Sequence, residues 1–189
     1  DMSPLDDIKS DLAALDWETI GLKPHARGQR IVSGCVADTP DHAYSFLVPK
    51  SKKARAPLVR FLENREIGKV AQNMKFEDAW AQVRLKTEIP NWEWDTMLAS
   101  HVLDNRKKVT GLKFQTYVRF GVIDYSSEVT PWLKAKNANN SNSLNRIFEL
   151  IDTPGGKEKL LKYGGYDGIY THRLALYQMR IMDYDFLPF

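Results

Sequence analysis

The chain is poor in the residues that mark several large classes of protein. Its 189 residues include one cysteine, Cys35, so no disulfide can form within it and a disulfide-stapled secreted fold is excluded. Cys35 lies in the apolar run "RIVSGCVA" and reads as a small buried residue, which suits a reducing cytosol. No apolar stretch approaches the roughly 20 residues that a membrane-spanning helix needs. The acidic, proline-bearing start "DMSPLDDIKS" is unlike a signal peptide. A cytoplasmic protein with no membrane partner is the expectation. Charge of one sign is scarce too: 27 Lys and Arg face 24 Asp and Glu, a formal +3, which permits a nucleic-acid partner without requiring one. With 43% hydrophobic residues the length suits one domain, residues 1–189, with a core of its own. The Asp before the first Met and the apolar end "DYDFLPF" point to an excised fragment or a cloning remnant, with a natural chain that continues.

Most catalytic signatures are missing as well. There is no Walker or Rossmann glycine loop, no serine-hydrolase elbow, no zinc-type Cys/His spacing and no His-Glu-x-x-His. The four histidines, at 25, 42, 101 and 172, are scattered and read as surface or packing residues. No internal repeat is present.

What the chain does have is ordered patterning. "DLAALDWE" (11–18) reads as a strand buried on both faces, with Leu12, Ala14, Asp16 and Glu18 on one side and Trp17 on the other. "RIVSGCVA" (30–37) and "AYSFLVP" (43–49) follow as strands with short connections, most simply an antiparallel meander. The period then becomes helical: a helix at 55–65, a short strand at 68–73, a helix at 76–85, an extended piece around "NWEW" and a helix at 95–104. Strands joined through helices pair in parallel. Further helices are predicted at 111–121, 144–151 and 155–183, with a polar, asparagine-rich loop or lid at 134–143. The predicted fold is α/β, a mixed sheet of about five strands, three antiparallel and then parallel, flanked by helices.

The chemistry must then lie in carboxylates. Asp16 and Glu18, two apart on a strand, project from one face, and two buried acids repel and lose hydration unless something compensates them. A strand that ended at Leu15 would leave both simply solvated. Glu77 and Asp78 sit where a strand gives way to a helix, the edge at which α/β sheets build their sites, although acids in a first turn also answer the helix dipole. The last helix adds Asp167, with Tyr163 one turn before it. Three acidic clusters near the ends of one sheet make a hard oxygen-donor site suited to Mg²⁺ or Mn²⁺ rather than Zn²⁺, and two such ions can assist a phosphodiester displacement. The same helix carries Gly164, Gly165 and Gly168, each costing about 1 kcal/mol relative to alanine. The expectation is that they let it lie close against the strand of Asp16 and Glu18.

The order and wording of these segments resemble the DEDD superfamily of 3′–5′ exonucleases, specifically the proofreading domain of family A (DNA polymerase I-like) polymerases, in a phage-like form. "LDWETIGL" is similar to the family's Asp-x-Glu-Thr-x-x-Leu, "AQNMKFE" to its Asn-x-Lys-[Tyr/Phe]-Asp, and "YGGYDGIYT" to its Tyr-x-x-x-Asp; "WDTMLASHVLD" looks like its Asp-Thr-Met-Leu helix. The resemblance spans residues 15–176 and implies a ribonuclease H-like fold, two divalent metal ions, Mg²⁺ or Mn²⁺, and the single-stranded 3′ end of DNA as substrate, in a bacterial or phage-infected cell. A polymerase domain or subunit is the implied partner. Asp16, Glu18 and Asp167 would hold the metal that activates water, with Asp16 also bridging to a second metal that steadies the leaving 3′ oxygen. Tyr163 would orient the attacking water; the position of the alternative histidine is Lys162, which marks the tyrosine subclass. Thr19 and Leu22 would contact the terminal nucleotide, and Asn73 and Phe76 the end of the strand. One departure is Glu77 where the family has Asp, with Asp78 beside it; helical neighbours point about 100° apart, and Glu77 is the favoured ligand. An RNase D-like exoribonuclease, or a degenerate exonuclease fold kept for binding, are the alternatives. "PKSKKAR" (49–55) and "NRKK" (105–108) are basic clusters able to contact phosphates, or plain solvated loops. The five tryptophans read as core residues or as a base-stacking platform.

Overall fold

The computed structural model describes residues 2–137, 139–140 and 142–184. Part of the asparagine-rich loop and the apolar end at 185–189 lie outside the described residues. After a 3₁₀ turn at Ser3–Asp7 come β1 (Leu12–Thr19), β2 (Ile31–Thr39), β3 (His42–Leu47), α1 (Ala56–Glu63), β4 (Gly68–Ala71) and α2 (Met74–Trp80). α2 runs on into a π-helical turn, Ala81–Leu85. β5 (Trp92–Asp95), α3 (Thr96–Leu103), α4 (Leu112–Phe120), α5 (Thr130–Leu133), α6 (Ile147–Ile151) and α7 (Gly156–Ile181) follow among the described residues. The five strands form one sheet in the order β3-β2-β1-β4-β5. β1–β2 and β2–β3 are antiparallel, while β1–β4 and β4–β5 are parallel. This is the expected ribonuclease H-like mixed sheet, three antiparallel strands followed by parallel ones.

Alternation along β1 divides the interior. Ala13, Leu15 and Trp17 pack with Leu58, Leu62 and Trp80 on the face covered by α1 and α2. Leu12 and Ala14 turn to the other face, against Val70, Ala175 and Met179 beneath α7. Asp16 and Glu18 continue that second face past its apolar part, so the strand that builds the core also delivers the acids.

Helix α7, 26 residues and so about 39 Å long, crosses β1, β2 and β3. A Cβ at Gly168 would lie 2.6 Å from Cys35 Sγ on β2, and one at Gly165 would lie 2.9 Å from Ser45 Oγ on β3, whereas one at Gly164 would meet nothing within 4 Å. The glycine expectation is therefore corrected: the close approach is to β2 and β3 rather than to β1, and Gly164 has no part in it. β4 ends at Ala71 instead of reaching residue 73, because Asn73 adopts a left-handed conformation (φ 71°) that turns the chain into α2. α6 is shorter than the predicted 144–151, and α5 was not predicted.

Candidate metal centre and nucleotide pocket

Asp16 and Glu18 from β1 and Asp167 from α7 each place one carboxylate oxygen within 4.8 Å of the others. Sequence order hides this proximity, since about 150 residues separate the two elements. Glu77, in the first turn of α2, is buried and its Oε2 has no hydrogen-bond partner. The Trp17 indole donates to its backbone oxygen at 3.2 Å, fastening α2 to β1. Asp78 points elsewhere: it accepts from Trp92 Nε1 at 3.1 Å and from Gln82 Nε2 at 2.6 Å. Adjacent acids on one helical turn thus have separate fates.

Asp95 sets the position of α2. Its carboxylate accepts from the N–H groups of Asn73 and Met74 at the start of α2, and from those of Met97 and Leu98 at the start of α3. One side chain caps α3 and holds the turn that presents Glu77.

Two residues that the sequence did not single out also enter the site. Lys113 on α4 donates to both Asp167 oxygens, at 2.5 and 2.6 Å, and to the Tyr163 hydroxyl at 2.9 Å. Tyr125, from the loop after α4, donates to Asp167 at 2.5 Å. In "GLKFQTYVRF" a lysine on an amphipathic helix is indistinguishable from a solvated one, and nothing around Tyr125 marks it. Asp167 is thereby well supplied with donors; Lys113 also pulls on Asp16 and Glu18, while the charges that act on Glu77 are the carboxylates of Asp16, Glu18 and Asp95.

The electrostatic result follows. Burial, and then repulsion from Asp167, pushes the Asp16 carboxyl up to about 8 against the pull of Lys113. Glu18 is held well above the usual carboxylate range by burial and by Asp16 and Asp167, and Glu77 by burial and by Asp16 and Glu18. Charging such a cluster at neutral pH requires cations. Its donors are all hard oxygens, and the orphaned Glu77 oxygen is a further one, so the residues present fit divalent ions of the Mg²⁺ or Mn²⁺ kind. The Tyr163 hydroxyl is raised as well, by burial and by Asp167.

Beside the acids opens a pocket of about 280 Å³ whose lining includes Glu18, Thr19, Leu22, Phe76 and Asn145. Three of the four residues expected to contact substrate, Thr19, Leu22 and Phe76, meet here. Asn73 is not in the lining; its backbone N–H is engaged by Asp95. Asn145 fixes the wall, donating from its side chain to Thr19 O at 2.8 Å and from its backbone to Ile20 O at 3.0 Å.

Clustered acids at the end of such a sheet define the nucleases of the ribonuclease H-like class. The 3′–5′ exonuclease family profile matches residues 5–179, and the chain belongs to that family. No curated protein sequence matches it significantly. Among solved structures it is similar to Brucella melitensis NrnC with bound Mg²⁺, at 20% identity and TM-score 0.68 over 95% of this chain and 77% of that one. It is similar to Escherichia coli RNase D, an exoribonuclease, at 14% identity and TM-score 0.61 over 96% of this chain and 42% of that one. The POL domain of Pol1 from M. smegmatis, in complex with DNA primer-template and dNTP, gives 8% identity and TM-score 0.64 over 96% of this chain and 26% of that one. At these identities the likeness is one of fold. Among the described residues no helix is long and apolar enough to cross a membrane.

Proposed function

We propose that the chain removes nucleotides from the single-stranded 3′ end of DNA, hydrolysing the terminal phosphodiester with two divalent cations, Mg²⁺ or Mn²⁺, in the service of a polymerase of which it is a domain or subunit. The observation that carries this reading is the meeting of three carboxylates within 4.8 Å beside a pocket that holds Thr19, Leu22 and Phe76. When bound, the cations supply charge that stabilises the attacking and leaving oxygens. Asp16, Glu18 and Asp167 would hold one of them, and Asp16 with Glu77 the second. Tyr163, whose hydroxyl accepts from Lys113 at 2.9 Å beside Asp167, would orient the attacking water by hydrogen bonding. Lys113, bound to both Tyr163 and Asp167, keeps these two residues in register one helical turn apart. Thr19 and Leu22 would grip the last nucleotide, with Phe76 and Asn73 toward the strand end.

A second reading, exoribonuclease action of the RNase D kind, is favoured by the similarity to Escherichia coli RNase D and to NrnC, which has also been solved bound to pGG. Matched DNA and RNA single strands, labelled at the 5′ end, separate the two. Stepwise shortening of DNA from its 3′ end in Mg²⁺ or Mn²⁺, abolished by EDTA, is the expected result. Faster shortening of RNA would move the assignment to the second reading, and internal cuts or inert substrates would overturn both.

A further inference from the structure

A second groove, of about 500 Å³, is lined by the ends of β2 and β3, the segment that follows β3, the π-helical turn and α6, and is within the size range of ligand-binding clefts. Four cations from separate segments converge on it: Arg30 at the start of β2, Lys50 and Arg55 between β3 and α1, and Arg84 in the π-helical turn; no carboxylate is among its lining residues. None of the four takes part in an ion pair among the described residues. The Arg30 guanidinium lies 4.3 Å over the Phe148 ring. Arg84 donates to Ala26 O at 2.6 Å while its Nε is buried without a partner. The groove's other lining is largely aliphatic and aromatic. Like charges gathered over an apolar floor form the combination that tracks a single strand, with phosphates on the cations and sugar and base faces on the floor.

Groove and nucleotide pocket are lined by different residues, but the segments that carry them are hydrogen-bonded to one another. Arg30 accepts at its backbone oxygen from Ile20 N at 3.1 Å, one residue past Thr19, and Asn145, which binds Thr19, precedes the helix that carries Phe148. We infer that this groove binds the phosphodiester backbone of a nucleic-acid strand whose 3′ end occupies the nucleotide pocket, so that long strands are held by contacts that a dinucleotide cannot make. The inference rests on the nuclease reading above.

The test uses Arg30→Gln/Arg55→Gln, which spares the Arg84 bond to the chain, with Arg30→Lys/Arg55→Lys as the charge-preserving control. Binding of a single strand of about twelve nucleotides, followed by fluorescence anisotropy in EDTA, should weaken by about tenfold in the glutamine variant, with the slope of log K against log salt shallower by about 1.4, roughly 0.7 per lost contact. The lysine variant should bind like the parent. Turnover of a dinucleotide in Mg²⁺ should be unchanged in both. Unaltered binding of the long strand, an equal loss on the dinucleotide, or a glutamine variant that melts well below the parent while the lysine variant also binds weakly would overturn the inference. If the parent degraded neither substrate, the nuclease reading would fail, while the anisotropy arm would still report on the groove.

Discussion

The acidic cluster and the basic groove each gather charge of a single sign, yet physics treats them differently. In the cluster, Glu77 and Asp167 are buried, and desolvation joins repulsion to keep protons on Asp16, Glu18 and Glu77. In the groove, Arg30 and Lys50 stand in water, where like charges 4 Å apart repel by only about 1 kcal/mol, so the charges persist. Crowding charge at a surface costs little and attracts a polyanion. Crowding it under a helix makes a site that is acidic in name only until cations arrive.

The sharpest way to break this contrast is to remove an acid. Asp16→Asn should lower metal-dependent nucleolysis by about a thousandfold, several kcal/mol of transition-state stabilisation, while raising the melting temperature in EDTA at neutral pH, since a neutral amide is buried without the proton that Asp16 must take up on folding. Glu77→Ala should be comparably inactive, and Asp78→Ala should retain most activity, losing about 1 kcal/mol of stability with its bonds to Trp92 and Gln82. The opposite ranking in a gel assay would reassign the ligand.

Lys113→Met tests the ammonium that is bonded to Asp167 and Tyr163. Asp167 and Tyr163 lose their shared donor, so the metal-free protein should melt lower, by about 1–3 kcal/mol of stability. The gain in melting temperature on adding Mn²⁺ should exceed that of the parent, because the cation no longer competes with the ammonium for Asp167. An unchanged Mn²⁺ response would remove Lys113 from this role.

Smaller, but specific in sign, is the pH dependence. Asp16 has an ordinary value of 3.8 and a folded value of about 8, so the folded state keeps a proton that the unfolded chain releases. The stability this contributes is complete below about pH 4 and is lost as pH rises through about 8. Melting in EDTA should therefore fall across that interval, and Asp16→Asn should flatten the fall. Excess Mg²⁺ should flatten it too.

The mildest contrast lies within α7. Gly168→Ala should destabilise by about 1–3 kcal/mol, because Cys35 Sγ must give way, while Gly164→Ala should stabilise by about 1 kcal/mol. Chemical denaturation of the two variants checks both signs.

The strands and most helices were legible because their signals are local. Alternation in "LAALDWET" assigns Trp17 and its acidic neighbours to opposite faces without any tertiary information, and even the four-residue β5 shows in "WEWD". That Asp16 and Glu18 share a face was legible from the same alternation, and the structure adds Asp167 to them. Lys113, Tyr125 and Asn145 were not legible, since each matters through a partner more than 20 residues away, as Lys113 does through Asp167; Asp95 showed as part of a motif, but its reach back to Asn73 and Met74 did not. The glycines of α7 were noticed but misread, because a one-dimensional pattern shows that a helix is thinned without showing which strand lies beneath it. The π-helical turn after α2 carries no mark in the sequence at all; it matters because it contributes Arg84 to the groove.

Cys35 offers one more consequence. It is the sole thiol, it is buried with its pKa pushed well up by that burial and by the nearby acids, and it lies directly under Gly168, one residue from Asp167. A thiol reagent in solution can reach it only when the helix lifts from the sheet, so the rate of alkylation is a clock for that opening. Cations that tie the strand of Asp16 to the helix of Asp167 should slow the clock in proportion to their occupancy, giving a measure of metal binding that needs no substrate.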